Sequence, residues 1–133
     1  MSFALDHLGI AVRSLVDAKA IYEKLGLALS PEEVVPGENV RVVMVPVGET
    51  RLELLEATSE DSVIAKFISK RGEGLHHISI RVPDLKAVVQ KLKAEATRLV
   101  SNEIKIGAGG RRYIFLHPSG TSGVLIELVE ASH

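Results

Sequence analysis

A chain of 133 residues has room for one hydrophobic core, or for two small halves that share one, and 46% hydrophobic with 25% charged residues is the composition of a folded protein. A formal net charge of −1 argues against a nucleic-acid surface or a polybasic membrane anchor, and no apolar run has bilayer length or the form of a signal peptide. Cysteine is absent, which removes disulfides, thiolate metal sites and cysteine nucleophiles together, so a cytoplasmic protein is expected and any metal must be held by histidine and carboxylate. Mean hydropathy is +0.20, high for so short a chain, and predicts that a second copy covers some apolar surface in a homodimer.

The first strand signal is Leu5-Asp6-His7-Leu8-Gly9-Ile10-Ala11-Val12. Ser14 follows as a helix N-cap with Asp17 three positions on, a variant of the capping box. Leu15, Ala18, Ile21, Tyr22 and Leu25 recur at helical spacing and predict the buried stripe, with Gly26 at the C-terminal stop. "VRVVMVPVG" and "TRLELLEA" are rich in β-formers. A short amphipathic helix is expected from about Ser62 to Lys70, closed by Gly72. A second strand, "GLHHISIRV" from Gly74 to Val82, leads to a helix capped by Asp84, with Leu85, Val88, Val89 and Leu92 as its stripe and its end near Ala94 to Ala96. The β-rich "RRYIFLHPSG" and "GVLIELVEA" complete the chain.

These elements are a repeat. The stretch from Leu5 to Val12 lies over Leu75 to Val82 at an offset of 70 residues without a gap, and Arg51 to Leu55 lies over Leu125 to Val129. The fold class expected is α+β: two tandem βαβββ modules forming a curved mixed sheet around a metal site, with helices on the outer face. A single domain spans 1–133, its first module at about 3–57, a linking helix at about 60–72 and its second module at about 74–131.

Strand alternation assigns the faces. Leu8, Ile10 and Val12 can pack under a helix, which sends His7 to the other side. Ile78, Ile80 and Val82 do the same and send out His77 with Ser79 and Arg81, leaving His76 at the edge of the packing face as a structural residue. Leu52 and Leu54 pack and release Glu53; Ile126 and Leu128 pack and release Glu127. A lone histidine on a strand is more often structural than a ligand, but four residues at matched repeat positions are harder to dismiss. Two imidazoles and two carboxylates from pseudo-symmetric halves suit zinc, nickel, cobalt, manganese or iron, with positions open for water or substrate.

From "DHLGIAV" to "LIELVE" the chain resembles the vicinal oxygen chelate superfamily, and "DSVIAKFISKRGEGLHHISIRV" with "GAGGRRYIFLHPSGTSGVLIELVE" resembles its methylmalonyl-CoA epimerases. The resemblance implies a divalent metal, cobalt first and nickel, manganese or zinc otherwise, bound by His7, Glu53, His77 and Glu127. It implies methylmalonyl-CoA as substrate, an enolate intermediate and Glu127 as a catalytic acid/base. Some family members have glutamine at the first acidic ligand, where this chain has Glu53. Some have a further glutamate on the strand after the first helix, but "NVRVVMV" offers no acid there, and nearby Glu38 is read as a loop charge rather than a second base. Alternatives are a glyoxalase I-like lyase acting on a glutathione hemithioacetal and a non-catalytic small-molecule-binding protein of the same fold.

Other features are weaker. Glycine-rich "GAGGRR" (Gly107 to Arg112) lacks the Lys-Ser/Thr of a P-loop and is as much a flexible loop as a contact for the CoA pyrophosphate. His117 is read as a turn residue, with Ser119 and Thr121 able to hydrogen-bond a carboxylate.

Overall fold

The computed structural model describes residues 2–131. Its strands are β1 (Ala4–Ala11), β2 (Glu33–Val35), β3 (Val40–Val47), β4 (Thr50–Ala57), β5 (Gly74–Val82), β6 (Lys105–Ile106), β7 (Arg112–Leu116) and β8 (Ile126–Glu130). Its helices are α1 (Leu15–Lys24), α2 (Val63–Arg71) and α3 (Leu85–Ala94). The order is βαβββ, a linking helix, and βαβββ again, an α+β chain. Two compact units divide it: one holds His7–His76, and the other holds the chain from His77 onward with the start of β1 up to Asp6.

In the unit His7–His76 the strands follow the order β2-β3-β4-β1, with β1 parallel to β4 and the other pairs antiparallel. Helix α1 starts where Ser14, in extended backbone, accepts a hydrogen bond from the Asp17 N–H at 3.2 Å. Its apolar side meets the sheet in a core of Val12, Leu15, Val43, Val45 and Leu54, joined by Ile10, Ala18, Tyr22 and Leu52. The expected stripe is too wide. Ile21 is 56% and Leu25 67% exposed. Ile21 stands roughly 90° round the helix from the mean direction of Leu15, Ala18 and Tyr22, and Leu25 is the C-cap, past Tyr22, the last residue of the helix that packs on the core. Gly26, at φ +88°, takes the left-handed position that stops the helix.

The second unit repeats the plan in the order β5-β8-β7-β6, with β5 parallel to β8. Asp84 caps α3 by accepting from the Ala87 N–H at 3.0 Å. Val82, Leu85, Val89, Ile114 and Leu128 form its core, with Val88 and Leu92 packed against it. The linking helix α2 is capped by Ser62, whose hydroxyl accepts from the Ile64 N–H, and is closed by Gly72 at φ +78°. No helix of the described residues is long and apolar enough to cross a membrane.

Candidate metal centre and active site

In each unit the helix takes one face of the sheet and the other face receives a histidine and a glutamate. His7 and Glu53 are 4% and 7% exposed, and the His7 Nε2 lies 3.3 Å from the Glu53 Oε1. Register brings them together. Parallel β1 and β4 set Gly9 against Glu53, so no side chain stands beside the carboxylate on β1 and Glu53 can turn to His7, two residues away on the same face.

His77 and Glu127 repeat the pattern in the second unit, 5% and 8% exposed, with Nε2 4.0 Å from Oε1. Here Ser79 lies against Glu127 on β5, and Phe115 lies across from it on β7. The edge-to-face contact of Phe115 with the His77 ring, at 5.3 Å between centroids, fixes the plane of the imidazole.

The donor set fits a divalent cation. Imidazole nitrogen and carboxylate oxygen bind zinc at about 2.0–2.2 Å, which puts neighbouring ligands of one ion about 3–3.5 Å apart. The His7–Glu53 pair already has that spacing, and His77–Glu127 is slightly wider. Burial makes four such polar groups costly without a charge to bind or a partner to pair with.

The neighbouring residues separate by role. His76, expected as a structural residue, is half-buried and meets the Phe67 ring edge-to-face at 5.0 Å. His117 caps a short 3-10 turn over Pro118–Gly120, its Nδ1 accepting from the Ser119 N–H at 3.1 Å. Thr121 is tied to its own loop through the carbonyls of Pro118 and Val124. Glu38 ends a 3-10 turn over Pro36–Glu38 and is half-buried rather than a free loop charge.

Sequence patterns missed one cluster. Asp6, 1% exposed, accepts from Arg81 Nε at 3.0 Å and from both terminal nitrogens of Arg111 at 2.9 and 2.8 Å. Arg111 also donates to the Glu130 carbonyl, and Arg112 pairs with the Glu130 carboxylate at 2.9 Å. Both arginines of "GAGGRR" are therefore engaged with protein acids and carbonyls.

The model of the glyoxalase/bleomycin resistance protein/dioxygenase superfamily matches residues 6–115. The mitochondrial methylmalonyl-CoA epimerase of Homo sapiens is 44% identical over 129 residues, which are 96% of this chain and 73% of that protein. The chain belongs to this superfamily and, within it, to the methylmalonyl-CoA epimerases. Solved members of the epimerase family share the backbone. The enzyme from Mycobacterium tuberculosis matches with a TM-score of 0.91 at 39% identity, covering 97% of this chain and 88% of that one. A methylmalonyl-CoA epimerase in complex with methylmalonyl-CoA and NH4+ matches with a TM-score of 0.89 at 35% identity, covering 96% and 94% of the two chains.

Proposed function

We propose that the protein interconverts the two epimers of methylmalonyl-CoA at a divalent cation held by His7, Glu53, His77 and Glu127, with Glu127 moving the α-proton. The observation that carries this reading is the repeated pair, a buried histidine Nε2 beside a buried glutamate in each module of an epimerase-family chain. The proton to be removed lies between a thioester and a carboxylate, and its loss leaves an enolate with two neighbouring oxygens. A bound dication supplies Lewis-acid stabilisation of that developing charge.

The protein's own groups do the rest. The carboxylate of Glu127 takes the α-proton from one face of the substrate, work that typically contributes about 10²–10⁴-fold, and a proton delivered to the opposite face completes the inversion. The Phe115 ring beside Glu127 and His77 limits water at the carboxylate and preserves its orientation. His7 and His77 would serve as nitrogen ligands and leave acid–base work to the carboxylate.

Cobalt is the ion proposed, with nickel, manganese or zinc as substitutes for a nitrogen and oxygen donor set. Residues 1–133 are taken as one vicinal-oxygen-chelate domain. A homodimer is inferred from the apolar side chains that α1 leaves exposed, Val16, Ile21 and Leu25. A CoA thioester substrate agrees with a cytoplasmic location.

The test is proton exchange. One epimer of methylmalonyl-CoA is incubated in heavy water with cobalt-loaded protein, and the α-hydrogen is followed by NMR. Interconversion with washout is expected, lost on chelation and reduced about 10²–10⁴-fold by Glu127→Gln. Absence of exchange with cobalt, nickel, manganese and zinc alike would overturn the proposal and turn attention to glutathione hemithioacetals.

A further inference from the structure

We propose that Ser79 is a positioning residue for Glu127, its hydroxyl donating a hydrogen bond to the carboxylate as that carboxylate turns onto the cation, and thereby setting metal affinity. The inference rests on the metal reading above.

Ser79 is fully buried, and its Oγ has no hydrogen-bond partner among the described residues. Buried hydroxyls are nearly always paired, and one left unpaired disfavours the state that contains it. Alanine would fill almost the same space without that penalty, so a serine here suits a second state in which the hydroxyl has an acceptor.

Register identifies the acceptor. Ser79 on β5 lies directly against Glu127 on the parallel strand β8, and alternation puts both on the face that carries His77. On the other side of Glu127 the cross-strand neighbour is Phe115, which has no donor to offer. A carboxylate has about four lone-pair positions, so an oxygen on a cation leaves others for a hydroxyl. Such outer hydrogen bonds orient metal ligands, and their loss typically lowers metal affinity about 10–100-fold.

The repeat supplies an internal contrast. The residue equivalent to Ser79, 70 positions earlier, is Gly9, and it lies against Glu53. Glu53 already stands 3.3 Å from its histidine, whereas Glu127 stands 4.0 Å from His77. The hydroxyl thus accompanies the carboxylate that stands farther from its own histidine and that is assigned the proton.

The experiment titrates metal-stripped wild type, Ser79→Ala and Glu127→Gln with cobalt by calorimetry, and melts each protein without metal. Ser79→Ala should bind cobalt about 10–100-fold more weakly while its metal-free melting temperature holds or rises. Wild-type affinity in Ser79→Ala together with lost binding in Glu127→Gln would overturn the role of Ser79 and leave the metal reading intact. A lowered metal-free melting temperature in Ser79→Ala would mark a packing role and also overturn it. Failure of the wild type to bind cobalt would remove both readings.

Discussion

Asp6 is the most demanding single residue outside the proposed metal ligands. Its carboxylate has 1% of its side-chain surface exposed and is held by two guanidinium groups. Removing one partner of a buried pair typically costs about 3–5 kcal/mol, because the remaining charge has no water to return to. Arg111→Ala should therefore destabilise the fold by about 3 kcal/mol in urea unfolding, the partial cover from Arg81 keeping it at the low end. Asp6→Asn should cost less, since Arg111 keeps the Glu130 carbonyl and some contact with water. Equal losses from the two variants would contradict the idea that Asp6 is the group stranded by breaking the pair. The sequence gives no sign of this cluster, because its partners lie 75 and 105 residues away and follow no period. The buried placing of His7, Glu53, His77 and Glu127 was legible for the opposite reason. Strand alternation is local, and the repeat states the same pattern twice. Ser79 was legible in its face but not in its lack of a partner, which only the packed structure reveals.

The elements themselves were readable wherever a cap or a long alternating run marked them. Ser14 and Asp84 each cap the helix expected of them, and Ser62, expected at the start of the linking helix, is its N-cap, with backbone N–H groups donating to all three side chains. Ser14→Ala should lower stability by about 1 kcal/mol, measured by thermal or urea unfolding. No measurable loss would mean that α1 is held in place by its core contacts alone. Strands β2 and β6, at 3 and 2 residues, are too short for a period to be seen, and the backbone bonds that define them come from neighbouring strands. The width of the α1 stripe was overestimated because helical spacing cannot distinguish a core contact from an apolar flank. Leu15→Ala should cost about 2–5 kcal/mol, as a buried leucine does, while Ile21→Ala at low protein concentration should stay within about 0.5 kcal/mol. A large loss from Ile21→Ala that grows with protein concentration would place this flank in the proposed dimer contact.

At the scale of the molecule, the chain has two matched cores, one under α1 and one under α3, and each module sets one buried histidine beside one buried glutamate. Neither set of two ligands suffices for a structural or catalytic cation, which takes three or four protein ligands. Under the proposed ligand set, the cation binds only when both modules are folded, so binding free energy adds to the stability of the whole and couples the two halves. At a free metal concentration 100 times its dissociation constant this adds about 2.7 kcal/mol. Calorimetric unfolding should therefore give a single transition with agreeing calorimetric and van't Hoff enthalpies in the cobalt-loaded protein. After chelation the transition should move to lower temperature and broaden or split, as the modules lose their shared ligand and melt with less cooperativity. His77→Ala should behave like the chelated protein with or without cobalt, because one module then brings only a carboxylate. Identical melting curves for loaded, chelated and His77→Ala protein would show that the metal contributes nothing to the union of the two modules, and the four-residue ligand set would have to be abandoned.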